Sequence, residues 1–325
     1  MPLEHLLTLN ENPLPPLEPV AEEIARHVAA VNRYPEFYPE RLKGVIADWL
    51  GVPHESVVVG SGSVGVALQA LQATVRSGGG LAYAWRNFDA YPLLAGMTGA
   101  RPLEVRLLTS GHQDLTGLAK ASLDADAVIV CNPHNPTGRF IPAEELREFL
   151  ALVPADTLVV LDEAYMEFVD AGEAAQSVDW VREHPNLLVL RTFSKAYGLA
   201  DMRVGYGVTS PELARRINAF QLPFSMSSLS TVAVEASLRE QQALRERVRS
   251  IVRERNRVAQ ELIRAGWNVL PSQTNFLWFE EPERVQEIRA ALEENGVLAR
   301  CFANEGVRLT IGDTQANAAV LRALA

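Results

Sequence analysis

The chain has 325 residues, 48% of them hydrophobic, enough for two domains or one large domain with a satellite. It carries 40 acidic against 30 basic residues, a net charge of −10, and that field argues against nucleic acid or an anionic membrane as main partner. Cys131 and Cys301 are its only cysteines and support neither a disulfide framework nor a metal site; with no signal-like start and no apolar run of membrane-spanning length, a cytoplasmic globular protein is expected.

Residues 7–16, with Asn10 and Asn12 ahead of Pro13, Pro15 and Pro16, are proline-rich and should lie extended over a surface. Val20, Ile24 and Val28 stand at helical spacing and predict a first helix from Pro19 to Ala30, followed by the turn Asn32-Arg33-Tyr34-Pro35. Val57 to Val59 reads as a strand that ends in Gly60-Ser61-Gly62-Ser63-Val64-Gly65, with a helix-like run from Val66 to Val75 behind it. Glycines at such a junction let backbone N–H groups approach an anion, and the helix dipole favours negative charge there. The loop is neither a Walker loop nor a dinucleotide fingerprint. Leu81 to Ala84 is the next strand, and Trp85-Arg86-Asn87-Phe88-Asp89-Ala90-Tyr91-Pro92 follows it.

Asp126 to Cys131 reads as a buried strand that delivers Asn132-Pro133-His134-Asn135-Pro136-Thr137-Gly138. Two X-Pro bonds in so short a turn place an irregular loop at a strand's C-terminal end, where open α/β sheets bind ligands. His134 is expected there as a solvated loop residue. A helix from Pro142 to Leu152 and a strand from Thr157 to Leu161 lead to Asp162-Glu163-Ala164-Tyr165. A carboxylate at the end of a buried strand needs a partner, and on spacing alone either Asp162 or Glu163 fills that description.

Strand Leu187 to Leu190 precedes Thr192, Ser194, Lys195 and, further on, Arg203, Gly205 and Gly207. Lysine occurs only at positions 43, 120 and 195 in a chain that otherwise uses arginine. A primary amine can lose its proton and condense with a carbonyl, which a guanidinium cannot. Arg203 is a permanent cation suited to bidentate phosphate contact. Beyond Gly207, one long amphipathic run from Leu229 to Ala265 should join a large domain to a smaller one. Its arginines alternate with glutamates, as on a solvated helix face. Asn268 to Leu270 and Thr274 to Phe279 look like strands, Pro282 to Asn295 a helix closed by Gly296, and the last strands carry Arg300 and Arg308. An arginine between apolar strand residues needs an anion, and an α-carboxylate held bidentately supplies one. Arg300 equally reads as an exposed edge-strand charge.

The ordered set of glycine loop, Phe88, Asn-Pro-His-Asn-Pro-Thr-Gly, Asp-Glu-Ala-Tyr, Lys195 and Arg203 resembles the fold-type I pyridoxal-phosphate aminotransferases over Asn10 to Asp313. Within them it is similar to the branch of histidinol-phosphate and aromatic amino acid (phenylalanine) aminotransferases. The resemblance implies an α/β fold. Its large domain holds a mostly parallel seven-stranded sheet in an α/β/α sandwich, and its smaller C-terminal domain is α+β. Residues 1–31 would form an N-terminal arm and first helix, 32–224 the cofactor domain and 225–325 the small domain. Lys195 would carry pyridoxal 5'-phosphate, Asp162 would pair with its ring nitrogen, Asn135 and Tyr165 would meet its 3-oxygen, and Phe88 would stack on the ring. Gly62, Ser63, Val64, Thr192, Ser194 and Arg203 would surround the phosphate, although relatives often carry acidic residues at the places of Val64 and Gly65. Tyr34 would reach the phosphate of a neighbouring subunit and so imply a homodimer. Arg308 would hold the substrate's α-carboxylate, Arg300 would face its far end, and Asn10 and Asn135 would also contact it; no metal is implied.

The implied reaction moves an amino group from an L-amino acid to 2-oxoglutarate by a ping-pong scheme, with the freed amine of Lys195 shuttling the Cα proton. The Trp85 to Pro92 stretch favours an aromatic donor, whereas Tyr34 and Arg300 favour histidinol phosphate. A decarboxylase or lyase on the same fold would release carbon dioxide or ammonia without an oxo-acid acceptor. A non-catalytic sensor is expected to add a DNA-binding module, for which the reading leaves no spare segment.

Overall fold

A computed structural model describes residues 4–170 and 177–325. In chain order its elements are β1 (His5–Leu7), α1 (Glu18–His27), α2 (Glu40–Leu50), β2 (Val57–Ser61), α3 (Gly62–Thr74), β3 (Gly80–Trp85), α4 (Ala90–Thr98), β4 (Arg101–Arg106), α5 (Leu115–Ser122), β5 (Ala127–Cys131) and α6 (Ala143–Leu152). There follow β6 (Leu158–Asp162), β7 (Leu187–Thr192), β8 (Val204–Val208), α7 (Pro211–Asn218), α8 (Ser228–Arg239), α9 (Gln241–Arg264), β9 (Phe276–Phe279), α10 (Val285–Glu294), β10 (Val297–Phe302), β11 (Gly306–Thr310) and α11 (Thr314–Leu324).

Seven strands form one sheet in the order β2-β8-β7-β6-β5-β3-β4, in which only β8 runs against its neighbours. Ala-Val-Ile-Val-Cys in β5 and Leu-Val-Val-Leu-Asp in β6 are buried at every position. Continuous apolar runs of this kind suit a parallel sheet covered on both faces. Two apolar clusters line those faces, one around Val59, Val130 and Leu161 and the other around Val58, Ile129 and Val160. A second sheet, ordered β1-β10-β11-β9, pairs β1 parallel with β10 and is otherwise antiparallel. Among the described residues no helix is long and apolar enough to cross a membrane.

Several elements differ from the sequence expectation, most by a few residues at an end and some by more. The helix after β2 begins at Gly62 and not at Val66, so the glycine loop is itself the helix's first turn. The run from Leu229 to Ala265 is two helices, because Glu240 leaves helical geometry at φ −100° and ψ 34° and divides α8 from α9. Asn268 to Leu270 makes only a single bridge, Val269 to Phe279. Arg300 is not on an edge, since β10 lies between β1 and β11.

The large sheet positions the first turn of α3 by contact with β8. A Cβ on Gly205 would stand 2.1 Å from the Ser63 backbone nitrogen, so only glycine lets α3 begin this close to the sheet. Gly205→Ala must push that turn away, and overpacking of this kind costs about 1 to 3 kcal/mol. We expect a matching fall in the urea unfolding midpoint at unchanged slope, measured by circular dichroism.

Candidate active site

The C-terminal ends of β5, β6 and β7, the first turn of α3 and the segment after β3 open on a cavity of about 750 Å3. Its wall holds Asn10, Ser63, Val64, Phe88, Asn135, Asp162 and Tyr165, together with Thr192, Ser194, Lys195, Arg203, Arg300 and Arg308. Gly62 lies just behind this wall. Tyr34 does not join it: the ring is 86% exposed, sits elsewhere against Phe224 at 5.0 Å, and reaches no part of this cavity. A separate open trough past Arg76, Asp126 and Arg216 lies at the other ends of β5 and β6.

The anion end is built on left-handed backbone. Gly62 and Arg203 both take left-handed conformations, at φ 71° and 51°. The Gly62 amide donates to the Arg203 carbonyl at 2.9 Å, and a Cβ on Gly62 would meet an Arg203 guanidinium nitrogen at 2.3 Å. A left-handed arginine costs of order 1 kcal/mol or more and persists only where the surroundings enforce it. Its guanidinium donates to the Ala200 carbonyl at 2.9 Å and leans on Ser194 Oγ at 3.4 Å. Thr192 Oγ1 in turn donates to Ser194 Oγ at 3.0 Å. The first amides of α3 have no helical acceptor and point their dipole toward this corner.

At the other end, Asp162 is buried, accepting from the Tyr91 hydroxyl at 2.9 Å and the Ala164 amide at 3.2 Å. Both donors are neutral, and burial pushes its acid up to about 6 despite the Tyr91 bond. Glu163, the other candidate acid, faces away from the cavity and is taken by Arg191 at 2.9 Å. Of the two acids, Asp162 is therefore the one that no cation bonds directly.

Between the two ends stands Lys195, half-buried, its Nζ donating to the Leu9 carbonyl at 2.9 Å. Burial, then the Arg308 charge, bring this amine down to about 8. Tyr165 is bound by Asn10 Nδ2 at 2.9 Å, and its hydroxyl is driven upward by burial. Asn10 itself is left-handed at φ 55°, a conformation asparagine tolerates. Arg308 is buried; it donates to Asn135 Oδ1 at 2.6 Å and to the Thr8 carbonyl, while its Nε has no partner. A guanidinium satisfied only by neutral oxygens, with a free N–H, is an anion site.

Several contributors carried no legible signal. Tyr91 lies in the stretch after β3, and nothing in its sequence neighbours announces its bond to Asp162. Asn12 holds the carbonyls of Lys195 and Ala196 at 3.2 and 2.9 Å. His134 corrects an expectation: it is fully buried, held to Thr137 Oγ1 at 2.8 Å, and kept neutral by burial, with its acid lowered to about 3. Backbone bonds from His134 to Arg139 and from Gly138 back to His134, both 2.8 Å, curl the turn and tuck the ring inward.

The residues present fit pyridoxal phosphate on three counts. A depressed amine suits carbonyl condensation, an anion corner with left-handed Gly62 and Arg203 suits a phosphate, and a buried acid met only by neutral donors suits a protonated ring nitrogen.

A family model described as "Aminotransferase class I and II" matches residues 5–324. The chain belongs to this family. It is 45% identical over 317 residues to an aromatic amino acid aminotransferase of Streptomyces coelicolor, covering 97% of this chain and 88% of that protein. It is 44% identical over 316 residues to one of Thermobifida fusca, with the same two coverages of 97% and 88%. Among solved structures it is similar to a histidinol-phosphate aminotransferase from Sinorhizobium meliloti in complex with pyridoxal-5'-phosphate, with TM-score 0.91 and 27% identity, covering 99% of this chain and 90% of that one. As in that family, an α/β large sheet and a second smaller sheet frame the cavity of this aminotransferase.

The raised acid of Asp162 makes a signed prediction. Folded protein binds this proton more tightly than the unfolded chain does, so the carboxyl costs stability as pH climbs from the ordinary 3.8 through about 6. In the apoprotein, Asp162→Asn should be more stable than the parent by about 1 to 2 kcal/mol at pH 8, after allowing for weaker hydrogen bonding. The gain should vanish near pH 4, and paired thermal melts at the two pH values check this.

Proposed function

We propose that this chain is a pyridoxal-phosphate-dependent transaminase that takes an amino group from an aromatic L-amino acid and passes it to 2-oxoglutarate by a ping-pong mechanism. One observation carries the reading: Lys195, Asp162 and a buried Arg308 without a charged partner face the same cavity. The aromatic donor is supported by curated relatives of that name at 40 to 45% identity and by the apolar groups Leu9, Val64, Phe88 and Leu298 in the wall.

Bound pyridoxal phosphate supplies the electron sink for charge released at the substrate's Cα. Ser63, Ser194 and Arg203 hold its phosphate end with the first turn of α3, and Asp162 keeps its ring nitrogen protonated. Asn135 and Tyr165 serve its 3-oxygen, and Phe88 covers a ring face. Lys195 Nζ would take the Cα proton as general base and then deliver a proton as general acid. An amine whose acid lies at about 8 exchanges a proton near neutrality without a large mismatch. Arg308 holds the α-carboxylate, and residues 8–12 keep water from the amine.

The proposal extends to organisation. Residues 1–31 act as an arm, 32–224 as the cofactor domain and 225–325 as the small domain, a division supported by the two separate sheets. The proposed compartment is the cytoplasm, and a homodimer is supported by the exposed aromatic group of Tyr34, Phe37 and Phe224, which a second copy would cover. Tyr34 would then reach the partner's site. A second reading, histidinol phosphate as donor, is favoured by Arg300 in the cavity wall.

Phenylalanine should exceed histidinol phosphate in kcat/KM by at least about tenfold, measured with 2-oxoglutarate as acceptor; the reverse order replaces the donor. Borohydride reduction of the loaded protein should fix the pyridoxyl group on Lys195, and Lys195→Ala should carry none. Reconstitution of apoprotein should quicken with rising pH around a midpoint near 8, because only the neutral amine condenses.

A further inference from the structure

Two arginines enter the cavity from adjacent strands, and their charges are balanced differently. Arg300 on β10 and Arg308 on β11 are paired across the ladder, so their side chains leave the same face. Arg308 has only neutral acceptors and a free Nε. Arg300 gives its Nη2 to Asp89 Oδ2 at 3.0 Å.

Asp89 comes from the turn between β3 and α4. It precedes the first residue of α4, yet its carboxylate caps no helix amide. The adjacent Arg86 is occupied by Glu305 at 2.7 Å and stacked over Trp85 at 4.2 Å, and it approaches Asp89 only to 3.9 Å. Arg86 and Arg300 both lie 5.3 Å from the Phe302 ring, which backs the pair. The Asp89 carboxylate thus has one close task, which is to occupy Arg300.

We propose that Asp89 is a positioning residue that sets the substrate range by holding the Arg300 guanidinium. With Arg300 occupied, and with Lys195 and Arg203 given over to the cofactor in the reading above, the cation left open to substrate among the described residues of the wall is Arg308, which matches an amino acid carrying a single carboxylate. A substrate with more negative charge, whether a phosphate monoester dianion or a second carboxylate, must draw Arg300 away and then lie beside the released Asp89 carboxylate. Discrimination here comes from a built-in repulsion as well as from attraction. The pair is half exposed, with side chains 50% and 47% accessible, so the handicap is a few-fold and not absolute. Such a pair can open for a dicarboxylate acceptor in one half-reaction and close again for an uncharged side chain in the other. This inference rests on the aromatic-donor reading above and says how that preference arises.

The test uses the cofactor-loaded Asp89→Asn enzyme, with phenylalanine as reference donor and glutamate and histidinol phosphate as probes of higher charge. The ratio of kcat/KM for each probe to that for phenylalanine should rise about fivefold, the upper range for release of a rim ion pair. The change should sit in the probes' KM and not in kcat. In Asp89→Asn combined with Arg300→Gln the rise should disappear. A ratio unchanged in Asp89→Asn overturns the proposal, as does a rise that survives the loss of Arg300. A purely structural task for Asp89 would depress all three substrates together and also overturns it. Failure of the donor reading looks different: the parent enzyme would then prefer histidinol phosphate over phenylalanine, whatever the shift in ratio.

Discussion

A carboxylate kept out of water at the end of β6 is the constraint around which this molecule is arranged. β6 is buried on both faces, so Asp162 can be reached by little except Tyr91, Ala164 and whatever enters the cavity. The next residue along the chain, Glu163, would make matters worse if it shared that space. Strand alternation sends it to the opposite face, where Arg191 from β7 meets it at 2.8 to 2.9 Å. One acid is neutralised inside the fold and the other is not. The sheet keeps these two neighbours apart and reserves the unmet charge for the cavity side.

The opposite end of the cavity shows the same logic in backbone form. Left-handed Gly62 and Arg203 lie against each other, and Gly205 allows α3 to start in contact with β8. The two glycines adopt their conformations without steric cost, but for Arg203 this is not the conformation of lowest local energy. Together with the uncompensated Asp162 and the half-met Arg308, it concentrates instability where binding can relieve it. Stability and activity are set against each other at such places.

Much of this was legible in the sequence because each functional stretch follows a strand. Asn135 after β5, Asp162 at the end of β6 and Lys195 after β7 are read from apolar runs that stop abruptly at polar residues. Parallel topology then brings those stops to one edge. Five strands of the large sheet, β2, β3, β5, β6 and β7, are read from such runs, whereas β4 and β8 are not and the count of seven rests on the family resemblance. What stayed hidden depends on contacts between distant parts. Tyr91 and Asn12 look ordinary until the fold carries them to Asp162 and Lys195. His134 reads as solvated because its neighbours are turn residues, whereas the turn closes around it. The break at Glu240 interrupts an unbroken amphipathic pattern, and periodicity alone does not register a single residue out of line. Tyr34 has no partner within the cavity of its own chain, so its proposed task belongs to a level of organisation that one chain does not display.

The arm of residues 8–12 is the thread that laces the two sheets together. Thr8 accepts from Arg308, Leu9 from Lys195, and Asn10 touches Tyr165 and Thr310, the last 300 positions away along the chain. During synthesis residues 8–12 must therefore wait for β11, some 300 positions later, before they find their places. The large sheet can form early from its own neighbouring units, but the cavity stays open on one side until β10 and β11 have emerged. Competence to hold substrate is thus decided by the meeting of two segments that lie far apart along the chain.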